Sequence, residues 1–225
     1  MSSLRQYIIK DREQSAVAES FRTLCSSING YRAEKELKTV LFVSSSPGAR
    51  NVMAAINTAA ILAYTGKKVV LMDCDMRTPV IHEVFGVPNI GIINIIRDDK
   101  PLKTMLQPSG IAGLQILTSG PVPRRAVDNL SSPVIKEILE DLKETTDYVV
   151  INSSPLLVDN KSIVSDACIL AGKADGVVMV IQSGKVRVQK AQKVLELLNG
   201  AKANIIGTVL NEVKTDKEYI YYVTA

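Results

Sequence analysis

Short, continuously apolar runs recur along the chain and are separated by longer segments with helical periodicity. The runs at residues 69–72 and 177–181 contain no polar residue at all. Runs of this kind are typical of strands that are buried on both faces, as in a parallel sheet. The pattern predicts six strands, over residues 39–44, 68–73, 114–118, 148–152, 176–182 and 204–210.

The segments between these runs predict helices that alternate with the strands. We expect helices at about residues 13–28, 52–65, 133–145, 160–172 and 187–199. Such alternation predicts βαβ units, and hence an α/β fold with a mostly parallel, doubly wound sheet and helices on both faces. No repeat or low-complexity linker interrupts it, so we expect a single domain over residues 1–225. Ligands in such sheets bind beyond the carboxyl ends of the strands.

Composition narrows the function classes. The chain has 225 residues, of which 46% are hydrophobic, and a formal net charge of +4. Its basic residues are scattered along the chain, so we expect no nucleic-acid partner. Three separated cysteines and a single histidine, His82, offer no metal-ligand spacing. The first residues lack an apolar leader and no run reaches the roughly 20 apolar residues of a membrane span, so we expect a soluble chain.

A polar loop follows the first predicted strand and precedes a helix, which is the position of a phosphate-binding loop. After Pro47 and Gly48, the sequence continues Ala49, Arg50, Asn51 and Val52. A working loop would end in Gly-Lys-Ser or Gly-Lys-Thr, in which the lysine contacts phosphates and the hydroxyl binds magnesium. Asn51 is neutral and short, and Val52 has no hydroxyl group. We expect phosphate binding through this loop to be impaired.

Two further polar positions end apolar strands. Asp73 and Asp75 stand two residues apart, and their mutual repulsion requires a cation or a shared proton nearby. A metal site is one interpretation; the other is a relic pair of which one member is neutralised by Arg77 or a lysine. Asn152 ends a later strand, where P-loop proteins usually carry an aspartate of the magnesium shell.

These three segments resemble the bacterial tyrosine kinases that regulate capsule and exopolysaccharide synthesis, within the ParA/MinD-like branch of P-loop ATPases. The resemblance extends from about Ser15 to Asn211. The family pattern Asp-x-Asp-x-Arg-x-Pro is intact at residues 73–79, whereas Ile-Asp-Thr-Pro-Pro reads Ile-Asn-Ser-Ser-Pro at residues 151–155. The segments at 124–130 and 158–161 also depart from the family pattern, so recognition of the base is in question too.

The resemblance implies a P-loop fold with ATP or ADP and Mg²⁺ as cofactors. It implies catalytic and metal roles for Asp73 and Asp75, with Asn152 in the metal shell. It also implies nucleotide contacts from the loop at 47–52 and from Arg77. Because the loop lysine and the loop hydroxyl are replaced, we expect a degenerate kinase whose phosphotransfer is lost or weak. An active tyrosine autokinase and a ParA/MinD-like scaffold or positioning ATPase remain the alternatives.

Two peripheral segments suggest partners. Tyr219, Tyr221 and Tyr222 lie in a tail over about 214–225 that we expect to be mobile, and the resemblance implies that they are phospho-acceptors; a plain terminal strand is the alternative. Glu19 and Arg22 match a subunit-contact motif of the family whose third position here is Cys25, or else form an ordinary surface ion pair. A homo-oligomer and a monomer both remain open.

The resemblance further implies three kinds of partner: a membrane-embedded activator, active kinase copies and the polysaccharide machinery. The expected location is the cytoplasm, at the inner face of the membrane through a partner.

Overall fold

The computed structural model describes residues 8–46, 51–157, 165–214 and 219–224, with the backbone alone from residue 212 onward. All of its strands belong to one eight-stranded sheet, in the order β3-β4-β2-β5-β1-β6-β7-β8. Their bounds are β1 Thr39–Ser44, β2 Val69–Cys74, β3 Gln107–Pro108, β4 Leu114–Leu117, β5 Tyr148–Ser153, β6 Gly176–Gln182, β7 Ile205–Lys214 and β8 Tyr219–Thr224. The six strands from β4 to β7 in this order pair in parallel, and the short β3 and the C-terminal β8 are antiparallel edges.

Helices cover both faces of the sheet. Their bounds are α1 Ala16–Glu34, α2 Asn51–Tyr64, α3 Ile81–Phe85, α4 Ile92–Asp98, α5 Leu102–Met105, α6 Ala126–Leu130, α7 Pro133–Thr145, α8 Asp166–Ala171 and α9 Val188–Gly200. Successive residues of β1 point to opposite cores: Val40 and Phe42 pack with α1 and α2, whereas Leu41 and Val43 pack with α7, α8 and α9. All six residues of β1 are therefore buried, which explains the unbroken apolar run. The predicted doubly wound α/β fold is confirmed.

The boundaries differ from the prediction in several places. Helix α1 extends to Glu34, six residues beyond the predicted end at 28. Its start is set by Ser15, whose hydroxyl accepts a hydrogen bond from the amide of Ala18. The helix predicted over 160–172 is described only as α8, because residues 158–164 lie outside the described part. Strand β3 and helices α3 to α6 were not predicted, since they are too short to show a period.

The C-terminal tail requires a correction. We favoured a mobile segment over about 214–225, with a terminal strand as the alternative, and Tyr219–Thr224 forms strand β8, which pairs antiparallel with β7. The run has the aromatic and β-branched residues that suit a strand.

None of the described helices is long and apolar enough to cross a membrane.

Candidate functional site

The candidate site lies where β1, β2 and β5 end. Strand β5 lies between β1 and β2, and Asn152 of β5 is the register partner of both Phe42 and Asp73. Because parallel strands end at the same edge of a sheet, the polar residues that follow these apolar runs meet there. The side chains of Asp73 and Asn152 lie in the interior, with 0% and 1% of the residue exposed.

Asn51 begins α2 at the position where a P-loop carries its lysine. Its side-chain nitrogen donates one hydrogen bond of 3.1 Å to Oδ1 of Asn152 and another of 2.7 Å to the carbonyl oxygen of Ser153. The side chain is thus directed onto the end of β5. The preceding loop residues Pro47, Gly48, Ala49 and Arg50 lie outside the described residues. Val52 is half-buried and packs against the core on the α1–α2 side of the sheet.

Asp73 receives the next hydrogen bond in this series. Asn152 Nδ2 donates to Asp73 Oδ1 at 3.0 Å, the amide of Asp75 donates to the same oxygen at 3.2 Å, and the amide of Ile81 donates to Oδ2 at 3.3 Å. Burial raises the pKa of Asp73 to about 7, and the nearby charge of Asp75 adds to the rise while these three donors oppose it. The carboxyl group of Asp73 therefore gains and loses its proton near pH 7.

Asp75 is held by four donors. Its Oδ1 accepts hydrogen bonds from the amides of Arg77 and Thr78, at 3.3 and 3.1 Å, and from the hydroxyl of Ser154, at 2.8 Å. Its Oδ2 accepts from the hydroxyl of Thr78 at 2.9 Å. Asp75 thus organises the turn that leaves β2 and links it to the end of β5. Ser154 stands where the family pattern has a proline, so this contact depends on a residue that departs from that pattern.

The backbone amide of Arg77 contacts Asp75, but the described hydrogen bonds of its guanidinium run elsewhere. Its guanidinium donates two hydrogen bonds to Asp166, with Nε–Oδ2 at 2.7 Å and Nη2–Oδ1 at 3.0 Å. The Asp166 side chain is 0% exposed and belongs to the first turn of α8, whereas that of Arg77 is 44% exposed. The hydrogen bond with Asp166 is the main cause that raises the pKa of Arg77, and the charge of Asp75 contributes to the rise. Neutralisation of one of the paired aspartates by Arg77 or a lysine stays a prediction. Cys74, between them, is buried in the core as a small apolar residue.

Sequence reasoning missed Thr78, Ser154 and Asp166. Thr78 is visible in retrospect as part of an Asp-x-x-Thr turn, because aspartate and threonine side chains often bond to nearby backbone. Asp166 follows Ser165 at the start of an apolar helical segment, which marks a helix start but does not identify a partner for Arg77. Among the described residues, no three acidic, cysteine or histidine side chains are grouped so that they could hold a metal ion.

The predicted subunit-contact residues lie on α1, away from this site. Arg22 bonds Glu19 at 3.0 Å, and it also donates to the backbone carbonyl of Glu13, within the same chain. Cys25, at the third position of the motif, is 3% exposed and directs its sulfur at the carbonyl of Thr58 on α2, 3.7 Å away. The first two residues of the motif are therefore accessible to solvent, whereas the third is buried against α2. A role of Glu19 and Arg22 in subunit contacts stays a prediction.

Tyr219, Tyr221 and Tyr222 lie on β8, at the far edge of the sheet. Two strands, β6 and β7, separate β8 from β1 in the sheet. Their backbone belongs to the sheet, and within one chain they lie apart from the carboxyl ends of β2 and β5.

The central strand β1 is followed by a loop and helix α2, and aspartates end β2, which lies two positions from β1 in the sheet. This arrangement is typical of a P-loop nucleoside-triphosphatase fold. The family model described as "ParA: NUBPL iron-transfer P-loop NTPase" matches residues 36–217. The tyrosine-protein kinase YwqD of Bacillus subtilis (strain 168) is 34% identical over 223 residues, which cover 98% of this chain and 92% of that protein.

Solved structures agree with this assignment. The chimerical protein CapA2B2 superposes with a TM-score of 0.83 at 27% identity, over 91% of this chain and 88% of that chain. The septum site-determining protein MinD of Pyrococcus horikoshii OT3, solved with Mg-ADP, has the same fold, with a TM-score of 0.67 at 20% identity over 82% of this chain and 74% of its own. The chain belongs to the bacterial tyrosine kinases, with a ParA/MinD-like P-loop domain.

Proposed function

We propose that this chain is a degenerate bacterial tyrosine kinase that regulates capsular or exopolysaccharide synthesis or export, with ATP-dependent phosphotransfer that is lost or weak. One observation carries the proposal: donors of the chain itself hydrogen-bond Asp73 and Asp75, and the residue at the position of the loop lysine bonds to Asn152. Asn51 bonds Asn152, Asn152 bonds Asp73, and Ser154 bonds Asp75.

The residues present do not fit a magnesium ion well. Mg²⁺ prefers oxygen ligands in near-octahedral geometry and is usually held by one or two carboxylates together with phosphates and water. Every carboxylate oxygen of Asp73 and Asp75 already accepts at least one hydrogen bond from the chain. Asn152 presents an amide nitrogen to Asp73, so the negative charge of a third carboxylate is missing at this point. Displacing these donors costs free energy that a metal ion would first have to supply.

The position of the P-loop lysine is also unsuited to binding phosphate. A P-loop lysine reaches the β- and γ-phosphates with a positive charge. Asn51 has no charge, and both of its described hydrogen bonds run to the end of β5. Losing a single charge-stabilising group commonly lowers turnover by about 10²-fold or more. Loss of the lysine, the loop hydroxyl and the third carboxylate together supports an activity that is very low or absent.

A protein of this kind would act through contacts with other proteins. Similarity to tyrosine-protein kinases supports three sorts of partner: a membrane-embedded activator, active copies of a related kinase and the polysaccharide machinery. The expected location is the cytoplasm, with recruitment to the membrane through the activator. Tyr219, Tyr221 and Tyr222 would then be acceptors for an active kinase copy rather than for the chain itself.

The test is calorimetric titration of the full chain with ADP and with ATP, each in the presence and absence of Mg²⁺. We expect no heat of binding up to about 1 mM nucleotide, which corresponds to a binding free energy weaker than about −4 kcal/mol. The matched control restores the family residues through Arg50→Gly, Asn51→Lys, Val52→Ser and Asn152→Asp. Micromolar binding by this variant would assign the loss to these four positions.

Two results would count against the proposal. Micromolar, magnesium-dependent binding by the unaltered chain would mean that Asp73 and Asp75 still build a metal site. Transfer of ³²P from ATP to the purified chain alone would establish an active autokinase, the alternative that the two retained aspartates favour.

A further inference from the structure

The C-terminal tyrosine run is part of the sheet. We propose that this tail is stored within its own chain as the edge strand β8, and that it must separate from β7 before a kinase can modify its tyrosines. The inference rests on the proposed function in one respect, the role of these tyrosines as phospho-acceptors. It adds a regulatory state in which the acceptor segment is withheld.

Register defines the stored state. Thr224, Val223 and Tyr222 pair with Thr208, Val209 and Leu210, and after an irregularity the pairing resumes with Ile220 opposite Val213 and Tyr219 opposite Lys214. Pairing thus includes both ends of the tyrosine run, Tyr219 and Tyr222, and the two residues that follow it. The two strands are joined by the four residues 215–218, a length that suits a hairpin connection.

The tail also completes the sheet at this edge. Strand β6 pairs with β7 as far as Asn211, so among the described strands the last residues of β7 have β8 as their neighbour. Helix α1 lies against β8 from one side. An unpaired edge exposes a row of backbone donors and acceptors and invites association with other chains. In the stored state, β8 pairs with the backbone donors and acceptors on the outer side of β7.

Phosphorylation demands a different geometry. The tyrosine hydroxyl oxygen must approach the γ-phosphorus of ATP in the active site of another kinase molecule, to a distance of about 3–3.5 Å. The oxygen–phosphorus bond then forms, ADP leaves, and the hydroxyl proton passes to a base of that kinase. A tail hydrogen-bonded along β7 cannot also extend into a neighbouring active site. Once modified, each tyrosine carries a charge of about −1.5 to −2 beside Asp216 and Glu218, which opposes its return to the strand.

Cross-strand disulfides test the stored state without altering a tyrosine. Directly opposed residues alternate between closer and more distant pairs in an antiparallel ladder, so one of two adjacent pairs has the geometry for a bond. We would prepare Thr208→Cys with Thr224→Cys, and Val209→Cys with Val223→Cys, each combined with Cys168→Ser. Cys25 and Cys74 are buried and can stay. The single-cysteine variants are the matched controls.

We expect at least one pair to cross-link on mild oxidation, as shown by peptide mass spectrometry. An active tyrosine kinase of this family, added with ATP and Mg²⁺, should then modify the oxidised chain at least tenfold more slowly than the same chain after reduction. The single-cysteine controls should be modified equally in both states. Amide hydrogen exchange of residues 219–224 should be slower than in a free peptide of the same sequence.

Each contrary result overturns part of the inference. Failure of both pairs to cross-link, with exchange in 219–224 as fast as in the peptide, would remove the stored state. Equal modification of the oxidised and reduced chains would remove its regulatory effect. A tail that stays unmodified even when reduced would show that the tyrosines are not acceptors. Nucleotide binding by the chain itself would refute the proposed function, but it would leave the cross-linking result untouched.

Discussion

The side-chain amide of Asn51 donates a 3.1 Å hydrogen bond to the amide oxygen of Asn152. Each residue replaces a charged one of the family pattern, a lysine in the loop and an aspartate at the end of the strand. The two substitutions lie in contact although they are 101 positions apart in the chain. Together they convert an interaction between opposite charges into a neutral amide pair, which leaves neither residue with an uncompensated charge in the interior.

This contact predicts strong coupling between the two positions. Asn51→Lys alone would bury an ammonium group beside neutral amides, and Asn152→Asp alone would bring a second carboxylate next to Asp73. Each should lower the free energy of unfolding by about 2–4 kcal/mol. The double variant regains an opposite-charge pair and should lose at least about 1 kcal/mol less than the sum of the two. Urea denaturation of the four proteins measures this.

Asn199 supplies the control for this cycle, because it is exposed near the end of α9. Asn199→Asp should change stability by less than about 1 kcal/mol, and its effect should add to that of Asn51→Lys. Strict additivity for Asn51 and Asn152 as well would mean that the hydrogen bond between them contributes nothing to their coupling.

Asp73 predicts a pH dependence of stability. Its folded pKa of about 7 lies above the ordinary value of 3.8, with burial as the main cause and the charge of Asp75 as a further one. Between these two values the folded state binds more protons than the unfolded state, so the free energy of unfolding falls as the pH rises from about 4 to about 7. Above that window the penalty is complete and constant.

Asp73→Asn isolates this contribution. The variant cannot ionise at this position, so its stability relative to the unaltered chain should increase by up to a few kcal/mol between pH 4 and pH 7 and then level off. Denaturation curves at half-unit pH intervals measure the difference. A difference that does not vary with pH would mean that the carboxyl group of Asp73 has the same pKa in the folded and unfolded states.

The central strands could be predicted from the sequence because a strand that is buried on both faces has a continuous run of apolar residues. Strand β1 is apolar at its four inner positions since its neighbours β5 and β6 and helices on both sides exclude water. The same pattern placed Asp73 and Asn152 at the ends of apolar strands, and the family resemblance implied that both belong to one metal shell. Strand β8 was only the alternative to a mobile tail, since its stability depends on pairing with β7 and contact with α1, and neither is visible in a short aromatic run.

The contacts within the site were less predictable than its location. The charge of Arg77 was expected to act on Asp73 or Asp75, but the hydrogen-bond partner of its guanidinium is Asp166, 89 positions later in the chain. Nothing local to either residue specifies that pairing, which follows from the position of α8 over the end of the sheet. Likewise, the hydroxyl of Ser154 reaches Asp75 because β5 and β2 are adjacent. Long-range packing therefore decided which donors satisfy the two aspartates.

The ion pair of Arg77 with Asp166 predicts an asymmetric response to substitution. Arg77→Met leaves a fully buried carboxylate without its cation, whereas Asp166→Asn leaves an arginine that is partly solvated. The first change should therefore cost more, about 1–3 kcal/mol, and the double variant should recover part of the loss. Thermal and urea denaturation measure both.

Arg125→Met is the matched control for Arg77→Met. Arg125 bonds Asp128 at 3.8 Å, but both side chains are largely exposed, so solvent screens the pair. Its removal should change stability by at most about 1 kcal/mol. Equal effects of the two substitutions would show that burial of Asp166 does not strengthen its need for a partner.

Cys25 predicts the result of restoring the family motif on α1. The motif has an arginine at this position, but the Cys25 side chain is directed at α2 and is nearly inaccessible. Cys25→Arg would force a long charged group into the core between α1 and α2, and it should destabilise the chain by more than about 3 kcal/mol. Cys25→Ala, which removes a single buried sulfur, should cost about 1 kcal/mol. Denaturation compares the stability of the two variants.

Light scattering measures the assembly state of Cys25→Arg. Because the substituted side chain would face α2 rather than another subunit, we expect no gain in oligomer size. A stable Cys25→Arg variant that forms a larger assembly would contradict this, and it would mean that α1 can rotate to present position 25 to a neighbouring subunit.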